Sequence, residues 1–403
     1  MKDLKMEIEK SLPYGEGGAE AILNIQSNTS ISIAYHQLFG PHDDLMLLEL
    51  DEKLLPDILN QRVTLRGQPD EDAVLCTQSK TYAIKFVGTS NSVFLIPPSN
   101  LSIALGASPN SSEKDHANAV VASVIKVVPG SMELVEVAPR LDKLKLLLSE
   151  NPYSFDEVSQ MNTELTHKNK GLYSWSDLVE KVQASDEELC TGLRALAAVE
   201  IDGYWRSLDE NFVDEILNML LHNAVLNDWL LSALNEDEVL PVLEADGFPR
   251  EIVRHCLGVY GSKVVDETRG GCTWRLEERP VCVHFARVIL RGKKMNLERF
   301  MEEWRKKVPE GMNGSFDVLE GEVLTEKIGI ETRIYAFSVS SLPSVPAERF
   351  SKLFQEKPKW DWKELQPFVR DLKVPGLSSE GLLLKYTRRS QPSADAEPIF
   401  SAR

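Results

Sequence analysis

Cysteine is scarce in this sequence, which has 5 cysteines among 403 residues, an odd number at wide spacing. Such a set cannot form a disulfide scaffold and is typical of a reducing compartment. Long hydrophobic runs are also absent: no run of about 18 apolar residues occurs, and the amino terminus lacks the apolar stretch of a secretory signal. We therefore expect a protein that stays inside the cell.

Motifs of catalysis are missing too. The nearest match to a nucleotide-binding Gly-x-x-x-x-Gly-Lys-Ser/Thr loop is Gly258 to Lys263, whose glycines are three apart and whose lysine is followed by no hydroxyl residue. We interpret this segment as a helix end. Neither a Gly-x-Ser-x-Gly elbow nor a His-Glu-x-x-His helix is present. We expect a protein that is not an enzyme and binds no cofactor.

Zinc ligands of the preferred types come close together in one region, at His255, Cys256, Cys272, Cys282 and His284. The paired Cys-x-x-Cys spacing of zinc sites is absent, however. Cys282 and His284 alternate within an apolar segment where small core residues are equally expected. We therefore interpret these residues as structural and expect no metal.

Charge is unevenly distributed along the chain. The formal net charge is −17, whereas a generic nucleic-acid binder would be basic. Residues 185–251 contain 16 acidic and 3 basic side chains, and residues 285–310 contain 8 basic and 4 acidic ones. This contrast indicates different partners for different domains. The length suggests about three domains, and the apolar fraction of 42% is sufficient for packed cores.

The first 138 residues have the pattern of short strands separated by turns. Strands are predicted at Ala21 to Ile25, Ile31 to Leu38, Leu45 to Leu50, Ala73 to Thr77, Thr81 to Val87, Ser92 to Ile96 and Ala119 to Val128. Turns are predicted between them, among others at Gly88 to Asn91 and at Pro129-Gly130. The spacing favours a small antiparallel barrel or an incomplete one.

Partner binding is predicted on these strands. Alternation places Tyr82, Ile84 and Phe86 on one strand face, and we take them, with Phe94, as candidate contacts. A strand set this thin leaves open edges that invite pairing. We therefore expect partner chains to complete the barrel, and we expect residues 1–138 not to fold alone.

A domain boundary is predicted at Pro139, where the apolar spacing changes from two to about 3.6 residues. Residues 139–225 predict a first winged helix. After a helix at Trp175 to Val182, Ser185 and Glu188 form a capping box for a second helix. Two strands follow, joined by Asp202-Gly203, whose turn positions need positive φ.

The first winged helix is acidic at the start of its second helix, which makes it unsuited to DNA. We expect this unit to bind protein, and we take Trp175, Asp186 and Glu187 as candidate contacts. A solvated acidic surface without a partner is the alternative.

The same pattern recurs less clearly in residues 226–280 and 281–390, which we interpret as second and third winged helices. In the second, Asn235 and Pro249 begin helices, and strands are predicted at Val264 to Glu267 and Cys272 to Leu276. In the third, we predict helices at 297–306, 347–354 and 362–369 and strands at 333–339 and 382–387. Residues 391–403 are predicted to be a flexible tail. The predicted class is thus α+β, a partner-completed barrel followed by tandem winged helices.

Basic residues of the third unit are candidates for DNA contact, since a winged helix offers DNA either its second helix or its wing. They form three clusters: Arg291, Lys293 and Lys294; Arg305, Lys306 and Lys307; Lys385, Arg388 and Arg389. Cations at a helix end also offset the helix dipole without any ligand, which explains the second cluster equally well. The third could be a solvated tail. Phosphate contacts would be salt-sensitive and independent of sequence.

The run from Asp72 to Pro98, which begins D-A-V-L-C-T-Q-S-K-T-Y-A-I-K-F, resembles the Dcc-type sister chromatid cohesion proteins. The resemblance continues through Leu141 to Leu148, Tyr173 to Asp177 and Gly203 to Arg206, and covers most of the chain to about Thr387. It implies a non-catalytic nuclear subunit of the cohesion-specific, alternative replication factor C clamp loader.

The resemblance also implies partners. The β-rich part would share a barrel with a small partner subunit and the carboxyl end of the large clamp-loader subunit. The winged helices would contact the catalytic subunit of DNA polymerase epsilon and DNA, and the sliding clamp only indirectly.

A stand-alone winged-helix DNA-binding regulator is the alternative function. A regulator should carry base-reading Arg, Asn or Gln on its second helices. Residues 187–198 offer only Arg194.

Overall fold

The computed structural model describes residues 31–60, 62–96, 120–155, 171–264, 272–372, 374, 376–391 and 397–403. The strand predicted at Ala21 to Ile25 lies outside them. The predicted mixture of helix and sheet is confirmed. The chain divides into two compact units, formed by the described parts of residues 1–52 with 84–134 and of residues 53–83 with 135–403. No described helix is long and apolar enough to cross a membrane.

The N-terminal part is mostly strand. Its described elements are β1 (Ile31–Tyr35), α1 (Leu55–Asn60), β2 (Thr64–Arg66), β3 (Val74–Cys76), β4 (Thr81–Leu95), β5 (Val120–Val124) and β6 (Lys126–Val137). Strands β2, β3, β4 and β6 form a four-stranded sheet in that order, and β1 pairs with β5. The latter pair is parallel, whereas we predicted antiparallel strands. Within the described residues these strands form no closed barrel.

The turns predicted at Gly88 to Asn91 and at Pro129-Gly130 are wrong, because β4 and β6 run through these residues. A Cβ atom on Gly130 would lie 2.1 Å from the carbonyl oxygen of Val87. The glycine therefore permits a close approach of two backbones rather than a turn. The strand predicted at Leu45 to Leu50 is also wrong, since only a single bridge joins Leu48 to Met132 there.

The second unit repeats one order of elements four times in its described residues: a helix, a short strand or bridge, further helices, and a hairpin. The first repeat contains α2 (Leu141–Ser149), α3 (Trp175–Lys181), α4 (Asp186–Ala195), β7 (Val199–Ile201) and β8 (Tyr204–Arg206). The second contains α5 (Glu210–Leu226), β9 (Leu234–Asn235), α6 (Glu236–Ala245), α7 (Arg250–Tyr260), β10 (Gly261–Val264) and β11 (Thr273–Leu276).

The third and fourth repeats follow the same order. The third contains α8 (Glu278–Leu290), β12 (Met295–Asn296), α9 (Leu297–Lys307), a 3₁₀ helix (Phe316–Leu319), β13 (Val323–Ile328) and β14 (Glu331–Ala336). After a 3₁₀ turn at Val339–Ser341, the fourth contains α10 (Pro346–Glu356), β15 (Lys359–Asp361), α11 (Trp362–Val369), α12 (Ser379–Tyr386), β16 (Thr387–Ser390) and β17 (Ile399–Ala402). In the last three repeats, the final strand is the central strand of a three-stranded sheet.

Local sequence signals explain much of this order. The predicted capping box is confirmed, because the Ser185 side chain accepts the Glu188 backbone N–H while the Glu188 side chain accepts that of Ser185. The predicted hairpin turn is confirmed as well, with φ of 52° at Asp202 and 83° at Gly203. Helix α5 was not predicted, although Asp209 caps it by accepting two backbone N–H groups.

The carboxyl-terminal residues differ from the prediction. The strand predicted at 382–387 is wrong, because Ser378 caps helix α12 there by accepting the Gly381 N–H. Residues 391–403, predicted to be a flexible tail, include strand β17, which lies between β15 and β16. Its Phe400 is buried in the core of the fourth repeat. The helix end predicted at Gly258 also differs, since α7 continues to Tyr260.

The described residues of the second unit form three apolar cores. One belongs to the first repeat and includes Leu144, Leu178 and Leu189. A larger core joins the second and third repeats, with Phe212 and Trp304 among its members. The third core packs around Trp360 in the fourth repeat and also includes Leu324 of β13.

Candidate interaction surfaces

The first unit exposes many large apolar side chains, on its strands and on the segment 38–46 that follows β1. Its described residues bury only two apolar side chains, Val124 and Val128. A larger set of big apolar side chains is exposed there; we call this set the strand patch, and it consists of Ile33, Tyr35, Leu38, Phe39, Leu45, Met46, Phe86, Val87, Phe94 and Val127. With only two buried apolar side chains beside them, so many exposed ones indicate surface that a partner covers.

The predicted partner contacts lie at different depths along β4. Tyr82 is buried and pairs with Leu75 of β3. Ile84 is half-buried, while Phe86 is 56% and Phe94 41% exposed. The far end of β4 therefore offers the apolar surface, and its first residues belong to a core.

The first residues of β4 form part of the N-terminal cap of helix α4. The Thr81 hydroxyl donates to the Glu188 carboxylate over 2.6 Å and accepts the Ser185 backbone N–H over 3.0 Å. The Glu187 backbone N–H donates to the carbonyl of Gln78. Residues far apart in the chain thus satisfy the free N–H groups of this helix end.

A buried arginine completes this arrangement. The Arg66 side chain, only 4% exposed, donates to the carboxylate of Asp186 and to the carbonyl oxygen of Ala184. Asp186 is therefore neutralised within the chain, whereas Glu187 is exposed. Trp175, the third predicted protein contact of this repeat, is half-buried against its core. Sequence reasoning missed Arg66, because no local pattern links it to a helix 120 residues later.

The first basic cluster is largely engaged in pairs within the chain. Arg291 lies 3.1 Å from the carboxylate of Glu210. Lys294 lies 3.3 Å from that of Glu326, and its ammonium group lies 4.0 Å from the ring centre of Tyr335. Such pairs leave these two cations less available to phosphate.

The other basic clusters are more open. Arg305, Lys306 and Lys307 are exposed in the last turn of α9 and have no carboxylate within salt-bridge distance among the described residues. The same holds for Arg388 and Arg389 on β16. Lys385, also exposed, lies over the ring of Tyr386. Lys293 of the first cluster is exposed as well.

The residues considered as zinc ligands are built into the core. Burial raises the pKa of the Cys256 thiol to about 12 and that of Cys282 to about 11, which disfavours the thiolate that metals need. His284 is held between the Tyr260 hydroxyl at 2.9 Å and the Asp214 carboxylate at 3.0 Å. No group of three metal-binding side chains occurs in the described part of the chain.

Burial also lowers the pKa of both histidines of this region. Desolvation is the main cause for His255, whose Nε2 contacts the carbonyl of Ala197, and for His284 in spite of Asp214. Both rings are thus favoured in the neutral form. Their polar contacts suit a structural role.

Comparison of the sequence with known proteins identifies one family. The family model described as "Sister chromatid cohesion protein Dcc1" matches residues 45–369. The chain therefore belongs to the Dcc1 family of sister chromatid cohesion proteins, a family named for cohesion and not for a reaction.

Relatives from distant organisms agree. The chain is 34% identical to "Sister chromatid cohesion protein DCC1" of Homo sapiens over 399 residues, 97% of this chain and 96% of the relative. It is 33% identical to the protein of the same name from Danio rerio, over 93% of this chain and 94% of the relative. The "Probable sister chromatid cohesion protein DCC1" of Dictyostelium discoideum is 26% identical over 90% of this chain and 95% of the relative.

Proposed function

We propose that this chain is a non-catalytic nuclear subunit of an alternative replication factor C clamp loader. Its N-terminal strands bind a small partner subunit and the carboxyl-terminal tail of the large cohesion-specific subunit. Its C-terminal repeats are winged helices that bind the catalytic subunit of DNA polymerase epsilon and DNA. In this role the chain links the loading or unloading of the sliding clamp to the replication fork.

The strand patch is the observation that carries this proposal. Fully burying a Val, Leu or Phe side chain is worth about 1.5–3 kcal/mol relative to leaving it exposed. Burying even three or four members of the patch would therefore contribute several kilocalories per mole to binding. Sheet edges beside such a patch can also pair with incoming strands. The described residues of the first unit bury only two apolar side chains, so partner chains that cover its exposed apolar residues would supply the core that it lacks.

The order of elements supports the winged-helix part of the proposal. A helix, a short strand, two helices and a hairpin, with the last strand in the centre of the sheet, is the winged-helix arrangement. DNA binding is assigned to the fourth repeat, because Lys385 is exposed in the last turn of its third helix, α12, and Arg388 and Arg389 are exposed on β16 of its hairpin. The exposed Glu187 on α4 suits a protein partner such as the polymerase.

Co-purification of full-length variants tests the barrel partnership. Substituting Phe86→Asp and Phe94→Asp together should abolish the ternary complex, because carboxylates would then lie in an apolar interface. Ile330→Asp is the matched control, since Ile330 is fully exposed on a hairpin of the second unit. A complex that survives the double substitution would refute the proposal.

Salt titration of DNA binding tests the fourth repeat. Each lost phosphate contact should reduce the slope of log K against log salt by about 0.9. Substituting Lys385, Arg388 and Arg389 by Glu should therefore lower the slope by about two to three and weaken binding to any sequence. Arg291→Glu should have little effect, because that side chain is already paired. Equal losses in both variants would contradict this assignment.

A further inference from the structure

A groove lined by arginines crosses the second unit, and neither the strand patch nor the fourth repeat accounts for it. It lies between the first hairpin (β7 and β8), helix α7 and helix α8, and its volume is about 890 Å³. Val199, Trp205, Val259 and Val283 contribute apolar walls. Four guanidinium groups line it as well, from Arg194, Arg254, Arg279 and Arg287. We call it the arginine groove.

The positive charge of the arginine groove is only partly neutralised. Arg254 lies 2.8 Å from the carboxylate of Glu236, and Arg287 lies 2.6 Å from that of Glu322, which also lines the groove. Arg279 donates instead to the backbone carbonyl of Glu320 over 2.9 Å, and no described carboxylate lies within salt-bridge distance of it. Arg194, exposed at the end of α4, has no hydrogen-bond acceptor among the described residues.

One carboxylate counts against this charge. Glu200 lines the groove and pairs with no cation in the described part of the chain. Because Arg254 and Arg287 are paired with Glu236 and Glu322, the lining keeps an excess of one positive charge, from Arg194 and Arg279 against Glu200. An arginine fork matches the two oxygens of a carboxylate, so the groove offers the chemistry of carboxylate recognition beside an apolar wall.

The surroundings decide which anion suits the groove. Residues 185–251, which supply part of its wall, contain 16 acidic and 3 basic side chains. A DNA duplex carries a phosphate charge every ~1.7 Å along its axis, and many of these would lie against the acidic surface. Charges more than about 8–10 Å away are screened at physiological salt. A short acidic segment confined to the groove would therefore be attracted by the arginines and little repelled by the rest.

We propose that the arginine groove binds a short acidic peptide segment of a partner protein. One or two apolar side chains of the segment lie against Val199, Trp205 and Val259, and its carboxylates pair with Arg194 and Arg279. The arginine groove includes among its lining residues none of the strand patch and none of Lys385, Arg388 and Arg389 in the fourth repeat. It does not depend on the proposed clamp-loader assembly.

Fluorescence anisotropy with full-length protein tests this inference. The probe is a labelled 12-residue peptide of alternating Leu and Glu, and the control probe replaces each Glu by Lys. The acidic peptide should bind saturably, and the basic one should not. Arg194→Glu combined with Arg279→Glu should weaken binding of the acidic peptide at least tenfold. Lys352→Glu, an exposed substitution on α10 away from the groove lining, should change it less than twofold.

Folding is checked by circular dichroism and by the melting temperature of each variant. Because Arg279 holds the carbonyl of Glu320, Arg194→Ala serves as a second variant that disturbs no hydrogen bond among the described residues, and it should weaken binding severalfold. Absence of saturable binding to the native protein overturns the inference, as does an equal loss in Lys352→Glu. Displacement of the peptide by a single-stranded oligonucleotide at lower concentration would overturn it too, by making the groove a nucleic-acid site.

Discussion

Replacing Arg66 by Ala should loosen helix α4, although the two lie in distant parts of the sequence. The substitution removes a buried guanidinium that bonds to Ala184 and Asp186. Breaking a buried ion pair costs about 3–5 kcal/mol when it leaves a buried charge behind. The Asp186 side chain is 41% exposed and can be rehydrated, whereas the Ala184 carbonyl would lose a buried donor at a cost of about 1–3 kcal/mol. We therefore expect a loss of about 3 kcal/mol.

Substituting the partner should cost about as much. Asp186→Asn keeps an acceptor for Arg66 but leaves the buried guanidinium without its counter-charge, so we expect a loss of about 3 kcal/mol. Both partners are therefore needed to hold this end of α4. Arg299→Ala is the matched control, because its ion pair with Glu303 is on the surface of a single helix and should contribute about 0.5 kcal/mol or less.

Hydrogen exchange of the full chain, followed by mass spectrometry of peptides covering α4, is the direct assay. A local loss of about 3 kcal/mol should speed exchange of the first protected amides of α4 about a hundredfold, since each 1.4 kcal/mol is a factor of ten. Peptides from the fourth repeat serve as internal references. Unchanged protection of α4 in either Arg66→Ala or Asp186→Asn, or an equal effect of Arg299→Ala, would refute the argument.

Three further outcomes follow from single contacts. Gly130→Ala should destabilise the β4–β6 contact and speed exchange there, because its Cβ would lie 2.1 Å from the carbonyl oxygen of Val87; unchanged exchange would contradict this. Folding lowers the pKa values of His255 and His284 from 6.5, so the unfolded state binds more protons as the pH falls. The free energy of unfolding should therefore decrease as the pH drops below about 6.5. His284→Gln should make this pH dependence weaker in denaturant titrations. Phe400→Ala should cost about 3–5 kcal/mol and lower the melting transition of the fourth repeat, whereas a flexible tail would tolerate it.

Short-range signals were sufficient to predict many elements of the fold. The Ser185 capping box and the Asp202-Gly203 turn depend on backbone groups within a few residues, so the sequence determines them directly. The misassigned turns had another cause. Pro129-Gly130 is a common turn sequence, but here Gly130 lacks a side chain so that the backbone of β4 can lie against it. The sequence around Gly130 does not reveal which strand will pack there, so this role could not be predicted.

The candidate surfaces were predictable only in part. Phe86 and Phe94 were selected from alternation on a strand, and both are exposed. Tyr82 belongs to the same alternation but is buried, because the position of the core along β4 depends on which other segments cover it. Arg66 and the arginine groove depend on contacts between residues up to 120 positions apart, and a periodicity within one segment contains no information about such contacts.

The third repeat shows why one pattern can serve different partners. Between α9 and β13, where the second and fourth repeats have a third helix, it has only a 3₁₀ helix of four residues at Phe316–Leu319. A repeat without that helix cannot place one in the major groove of DNA. Two of its cations, Arg291 and Lys294, are paired with carboxylates of the chain. The fourth repeat keeps the third helix, as α12, and leaves Arg388 and Arg389 exposed on the hairpin after it. The third repeat still has exposed cations at Arg305, Lys306 and Lys307, but without the third helix they lie on no recognition helix. The missing helix and the pairing of Arg291 and Lys294 together support assigning DNA contact to the fourth repeat rather than the third.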